Sequence, residues 1–324
     1  MIKFKNISLK NIYNSKTFKL IIIFSCLYFI YNYFNNNREI AQIIRNINYN
    51  YISIILIFTI IFIFLYAHLI YVTLKEICFL NLKKKKWLLI YFNSQYLSSI
   101  PFFGIFYRAV QLKKFDLNYD KFVGVYFLIN WFFLFITLFL ISIESLFFLK
   151  TKYLFDLHIS IFFITSSLII FIVPIFFSIL FKKFLNNSNL LNNYFISRFN
   201  KLINLILSSL YNKKFLKKFI LLVILIHIIE FLILTQLVTT INEKIIFQES
   251  YIIFIGNILI DIVNFIPQNL IISEIGLGII TDKMNYNFEL GILIKLYLRF
   301  IIFFASVFLA IIYNIYILII EKEK

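Results

Sequence analysis

Residues 51 to 74 run for two dozen positions without Lys, Arg, Asp or Glu. Nearly uncharged stretches recur at 18 to 35, 122 to 148, 157 to 181, 219 to 241, 249 to 265 and 290 to 320. About 20 apolar residues cross the hydrocarbon core as a helix, and in lipid only helices and closed barrels satisfy their backbone polar groups. The chain therefore reads as an all-α polytopic membrane protein with about seven spans. A composition of 62% hydrophobic and 20% aromatic residues excludes a soluble globular domain. Cys26 and Cys78 have no disulfide or metal spacing.

Two further apolar segments, 87 to 112 and 266 to 284, are interrupted by proline, glycine and charge, and each reads as a broken or re-entrant helix. Each carries a charged residue seven positions after its proline: Pro101 leads to Arg108, and Pro267 leads to Glu274. Downstream, Asn118-Tyr119-Asp120-Lys121-Phe122 and Asn285-Tyr286-Asn287-Phe288-Glu289 both open a long apolar run. This pattern predicts a duplicated unit, with a first repeat over 51–148 and a second over 219–320, in one membrane domain covering 1–324. Broken helices at membrane depth are tolerated where they line a cavity, and repeat-built transporters place substrate there.

Residues 1–17 form a basic tail, and the run after it reads as an uncleaved signal anchor. Basic residues crowd 75 to 121, and 182 to 218 holds eight of them with no acid. Both belong on the cytoplasmic side, which puts the amino terminus inside an inner (plasma) membrane. Segment 182–218 also interleaves Phe and Leu with Lys and Asn, as expected of a basic amphipathic helix on an anionic leaflet or of a plain positive-inside loop. The net charge of +17 is topological in this reading, and no nucleic-acid motif accompanies it.

Ionisable groups at membrane depth are costly, which makes each a functional candidate. Asn257, Asp261 and Asn264 share a helix face that leads to Pro267; Glu274 lies in the second broken segment, and Lys295 and Arg299 are four apart on the next helix. These residues, with Arg108 and Asn269, form the expected substrate-binding cluster if the two repeats face each other. A simpler alternative has Lys295 and Arg299 snorkelling to headgroups while Asp261 pairs locally. His227 and Glu230, at i and i+3, could hydrogen-bond or relay a proton. Glu144, near the outer end of its span, is expected to reach water. Asp116 and Asp120 could hold a magnesium diphosphate as paired carboxylates do. No catalytic or metal constellation and no cofactor motif is recognised.

These residues resemble a family. The stretch Pro101 to Arg108-Ala109-Val110-Gln111-Leu112-Lys113-Lys114 is similar to the early proline–arginine–basic segment of the flippase-like membrane family that includes the membrane region of lysylphosphatidylglycerol synthases. Pro267-Gln268-Asn269-Leu270-Ile271-Ile272-Ser273-Glu274 resembles its late Pro-Gly-Asn-x-Gly-x-x-Glu segment, and Arg299 matches an arginine of its last long helix. Gln268 and Ile271 stand where that family has glycine, a turn role that Gly276 and Gly278 could take over, and Asn130-Trp131 replace its charged residues. The resemblance implies a translocator of an anionic lipid or lipid-linked sugar, with membrane lipids and envelope-biosynthesis proteins as partners. The chain ends at its last helix, so lysyl transfer is not expected. The rival readings are a membrane-embedded transferase using Asp116 and Asp120, and a scaffold for lipid or polysaccharide assembly.

Overall fold

A computed structural model describes residues 51 to 98, 103 to 148, 156 to 186, 194 to 263 and 272 to 322, all within one compact unit, Tyr49–Lys324. The described residues form ten helices: α1 Ile52–Glu76, α2 Lys84–Leu97, α3 Phe103–Lys113, α4 Tyr119–Phe148, α5 Asp156–Asn186, α6 Tyr194–Tyr211, α7 Lys213–Ile241, α8 Phe247–Val263, α9 Ile272–Lys283 and α10 Phe288–Lys322. Four of them, α1, α4, α7 and α10, contain stretches long and apolar enough to cross a membrane, and α5 carries a shorter apolar stretch, Ser160–Phe176. The expected span at 18 to 35 and the two prolines of the broken segments lie outside the described residues.

Each broken segment lies in a helical hairpin, α2–α3 and α8–α9. The Lys86 ammonium, at the start of α2, lies 6.0 Å from the ring centroid of Phe115, just past the end of α3, so α2 and α3 leave and return at one level. Likewise Tyr286, in the turn after α9, donates its hydroxyl hydrogen bond to Glu249 in the first turn of α8. The stretch expected as a span at 249 to 265 is thus the descending limb of the α8–α9 hairpin.

The hairpins enter from opposite ends. Glu76 at the end of α1 pairs with Lys218 near the start of α7 at 2.6 Å, so these helices run antiparallel. Hairpin α2–α3 follows the end of α1, whereas α8 begins only after α7 has run 29 residues, about 43 Å, the other way. Helix α8 then folds back along α7, with Phe231 against Tyr251 and His227 against Phe254.

The turns after the hairpins are the same structure twice. Asp116 (φ 61°) and Asn285 (φ 63°) adopt the left-handed conformation three residues before α4 and α10 begin. In each, an amide reaches back five residues, Leu117 N to Leu112 O at 3.3 Å and Tyr286 N to Thr281 O at 3.0 Å. This is the Schellman closure, for which Asp and Asn are among the few side chains that tolerate the backbone. Counting from these turns corrects the expected register: Arg108 lies four residues before Leu112, and four before Thr281 is Leu277. Glu274 is therefore not the positional counterpart of Arg108.

Glycine sets the packing of the second half. A Cβ on Gly291 would lie 2.3 Å from the backbone oxygen of Leu277, so α9 and α10 touch at backbone distance. Gly276 and Gly278 lie inside α9, facing Ile260 and Phe288, and among the described residues no glycine has positive φ. Their role is close packing, not the turn anticipated for them.

Two tryptophans fix the core. Pro174 in α5 lacks the amide that would bond Ile170 O, and Trp131 Nε1 of α4 donates to that freed carbonyl at 2.7 Å. Trp87, fully buried, donates to Ala67 O of α1 at 2.7 Å. Within the basic segment, α6 buries Ile203, Ile206 and Ser209, and its Leu205 approaches Gly124 of α4.

Candidate functional site

The charged residues of the second half gather where α8, α9 and α10 meet. Asn257 and Asp261, one turn apart on α8, both accept from Lys295 Nζ; the Asp261 oxygens lie at 2.8 and 2.9 Å. Lys295 is 4% exposed and the Asp261 side chain 49%, so the cation is buried while its counter-ion meets the surroundings. One turn along α10, Arg299 Nη1 forms an ion pair with Glu274 Oε1 at 2.6 Å, and Nη2 donates to Ser273 Oγ. Ser273 Oγ in turn donates to Glu274 Oε2 at 3.1 Å. Glu274 also sits in the first turn of α9, where the helix dipole favours a carboxylate. The i, i+4 spacings made Asn257, Asp261, Lys295 and Arg299 legible in the sequence, and here they converge. Asn264 and Asn269 lie outside the described residues.

Arg108 stands apart from that cluster. It is 6% exposed, and its Nε donates to Gly104 O at 3.3 Å along α3. Its guanidinium lies over the rings of Tyr91 from α2 and Tyr126 from α4, at 5.5 and 5.2 Å. Among the described residues no carboxylate forms an ion pair with it. The expected partnership with Glu274 is replaced by the Glu274–Arg299 pair.

Longer-range electrostatic interactions relate the two regions. Arg108 and Glu230 both lie within electrostatic reach of Tyr66, and Glu230 is within reach of His227, Asp261 and Lys295.

A family model described as the lysylphosphatidylglycerol synthase TM region matches residues 17–310. The chain belongs to this family. No curated protein matches it, and neither does any solved structure. Family membership and the apolar helices make it a multi-pass membrane protein.

His227 is placed differently from the i, i+3 expectation. Its Nε2 lies 3.0 and 3.1 Å from the two oxygens of Glu144 on α4, and Tyr251 of α8 donates to Glu144 Oε2 at 3.3 Å. Glu144, expected to reach water, keeps its side chain 26% exposed while it ties α4, α7 and α8 together. No local spacing joins positions 83 residues apart, so the sequence carries no signal for this pair. Asp116 occupies the Schellman turn and Asp120 the first turn of α4. Among the described residues no three His, Cys, Asp or Glu side chains cluster as metal ligands.

Proposed function

We propose that this member of the family is a flippase-like protein that moves an anionic lipid or lipid-linked sugar between the leaflets of the inner membrane, its amino terminus cytoplasmic. The observation that carries this reading is Arg108, a buried cation with no carboxylate partner among the described residues. A desolvated cation without a counter-ion is costly, and an incoming phosphate relieves that cost with charge-assisted hydrogen bonds. Lys295 and Arg299 already have resident carboxylates, so a headgroup that engages them must displace Asp261 or Glu274.

The matched turns and opposed hairpins support a duplicated, inverted unit, the arrangement by which repeat-built transporters expose one site alternately to two sides. On this reading the headgroup passes between the hairpins. Its test is translocation of a fluorescent anionic lipid in proteoliposomes. Arg108→Ala lowers the rate at least 10-fold on this reading; parental rates from normally inserted Arg108→Ala protein overturn it.

A further inference from the structure

Tyr126 belongs to α4, yet its ring is one of the two beside the Arg108 guanidinium. Its hydroxyl oxygen is fully buried, and among the described residues the hydroxyl proton has no acceptor. Buried hydroxyls ordinarily find a partner, and one left without costs free energy. Arg108 cannot fill that role, because a guanidinium only donates. The Tyr126 hydroxyl and the Arg108 guanidinium, brought from different helices, are thus neighbouring donors, and the hydroxyl proton has no acceptor among the described residues.

The position favours phosphate. Arg108 lies five residues before the end of α3, about 8 Å below that end of the bundle. Around this end stand Lys83, Lys84, Lys85, Lys86, Lys113 and Lys114, a rim that draws anionic headgroups. A lipid phosphate drawn to that rim needs only a short descent to meet both donors.

We infer that Arg108 and the Tyr126 hydroxyl together form a phosphate-binding pair, loaded from the leaflet at the lysine-rich end, with Tyr126 as the specificity-determining residue. The inference rests on the reading of Arg108 as the headgroup site. In the bound state Arg108 donates to one phosphate oxygen and Tyr126 to another, while Tyr91 and the Nε bond to Gly104 hold the guanidinium in place.

The test is equilibrium dialysis of the full chain in a neutral detergent against phosphorus-32-labelled dihexanoylphosphatidylglycerol, with inorganic phosphate and octanoate as competitors. The parental protein binds saturably, and Tyr126→Phe, which removes one hydrogen bond to a charged group, weakens binding about 10-fold. Arg108→Lys keeps the charge but loses the fork, and weakens binding by a comparable factor. Competition by inorganic phosphate assigns recognition to the phosphate alone; lipid binding without it assigns recognition to the esterified headgroup, and either result upholds the pair. Parental affinity in Tyr126→Phe, octanoate competing as well as phosphate, or no saturable binding overturns it. If both variants bind weakly yet translocate at the parental rate in liposomes, the pair stands and the transport reading falls.

Discussion

Both carboxylate oxygens of Glu144 lie within hydrogen-bonding distance of His227 Nε2, at 3.0 and 3.1 Å, joining helix α4 of the first half to α7 of the second. Replacing Glu144 by Leu leaves the buried imidazole N–H without an acceptor, a loss of about 1–3 kcal/mol. The midpoint for heat-induced aggregation of the detergent-solubilised protein should fall. A double variant, Glu144→Leu with His227→Phe, should recover part of the loss because neither polar partner remains, whereas equal or greater loss would argue against the pairing.

The Lys295–Asp261 pair is asymmetric, since the cation is buried and the carboxylate half exposed. Asp261→Ala strands the ammonium with only Asn257, while Lys295→Met leaves a carboxylate that can rehydrate. Asp261→Ala should therefore be the more destabilising change, by about 2 kcal/mol, in keeping with the cost of an uncompensated buried charge. Thermal melting of the two variants side by side measures the order directly.

Gly291→Ala should prevent correct packing of α9 on α10, because the added methyl meets the Leu277 backbone and not a movable side chain. The control is Gly124→Ala, whose Cβ would lie 3.6 Å from a Leu205 methyl, an ordinary contact. Size-exclusion profiles of fluorescently tagged variants should show aggregate for the first and the parental peak for the second.

Cys78 lies in the link between α1 and α2, and burial pushes its thiol up to about 11. The reactive thiolate is therefore scarce at pH 7, and its fraction grows about 10-fold per pH unit until that value is approached. In a Cys26→Ser background, maleimide labelling should accelerate accordingly between pH 7 and 9. In intact cells an impermeant maleimide should leave Cys78 unmodified, and in inverted vesicles it should label it; the opposite result reverses the orientation.

Local sequence features were legible because they depend on spacing along one helix. Asn257 with Asp261, and Lys295 with Arg299, could be read as faces before any partner was known. The interrupted segments were also visible, since proline and charge break the apolar pattern. What spacing cannot carry is the choice of partner across helices. Glu274 pairs with Arg299 and not with Arg108, and counted from the turns at Asp116 and Asn285 it sits three residues away from the position that corresponds to Arg108. The stretch 249 to 265 reads as a span for a related reason: its composition is apolar enough, and its return through α9 is fixed by Tyr286 bonding Glu249, 37 positions apart.

Helix α10 begins against α9, at Gly291, and near its far end meets α2, where Tyr313 packs edge-to-face with Phe92 and Asn314 bonds Asn93 at 2.8 Å. A stiff rod gripped in this way at two separated points behaves as a seesaw. On the transport reading proposed above, tilting that loosens its hold on one hairpin shifts its grip on the other, so a gate at either face of the bilayer would be mechanically informed of the state of its opposite.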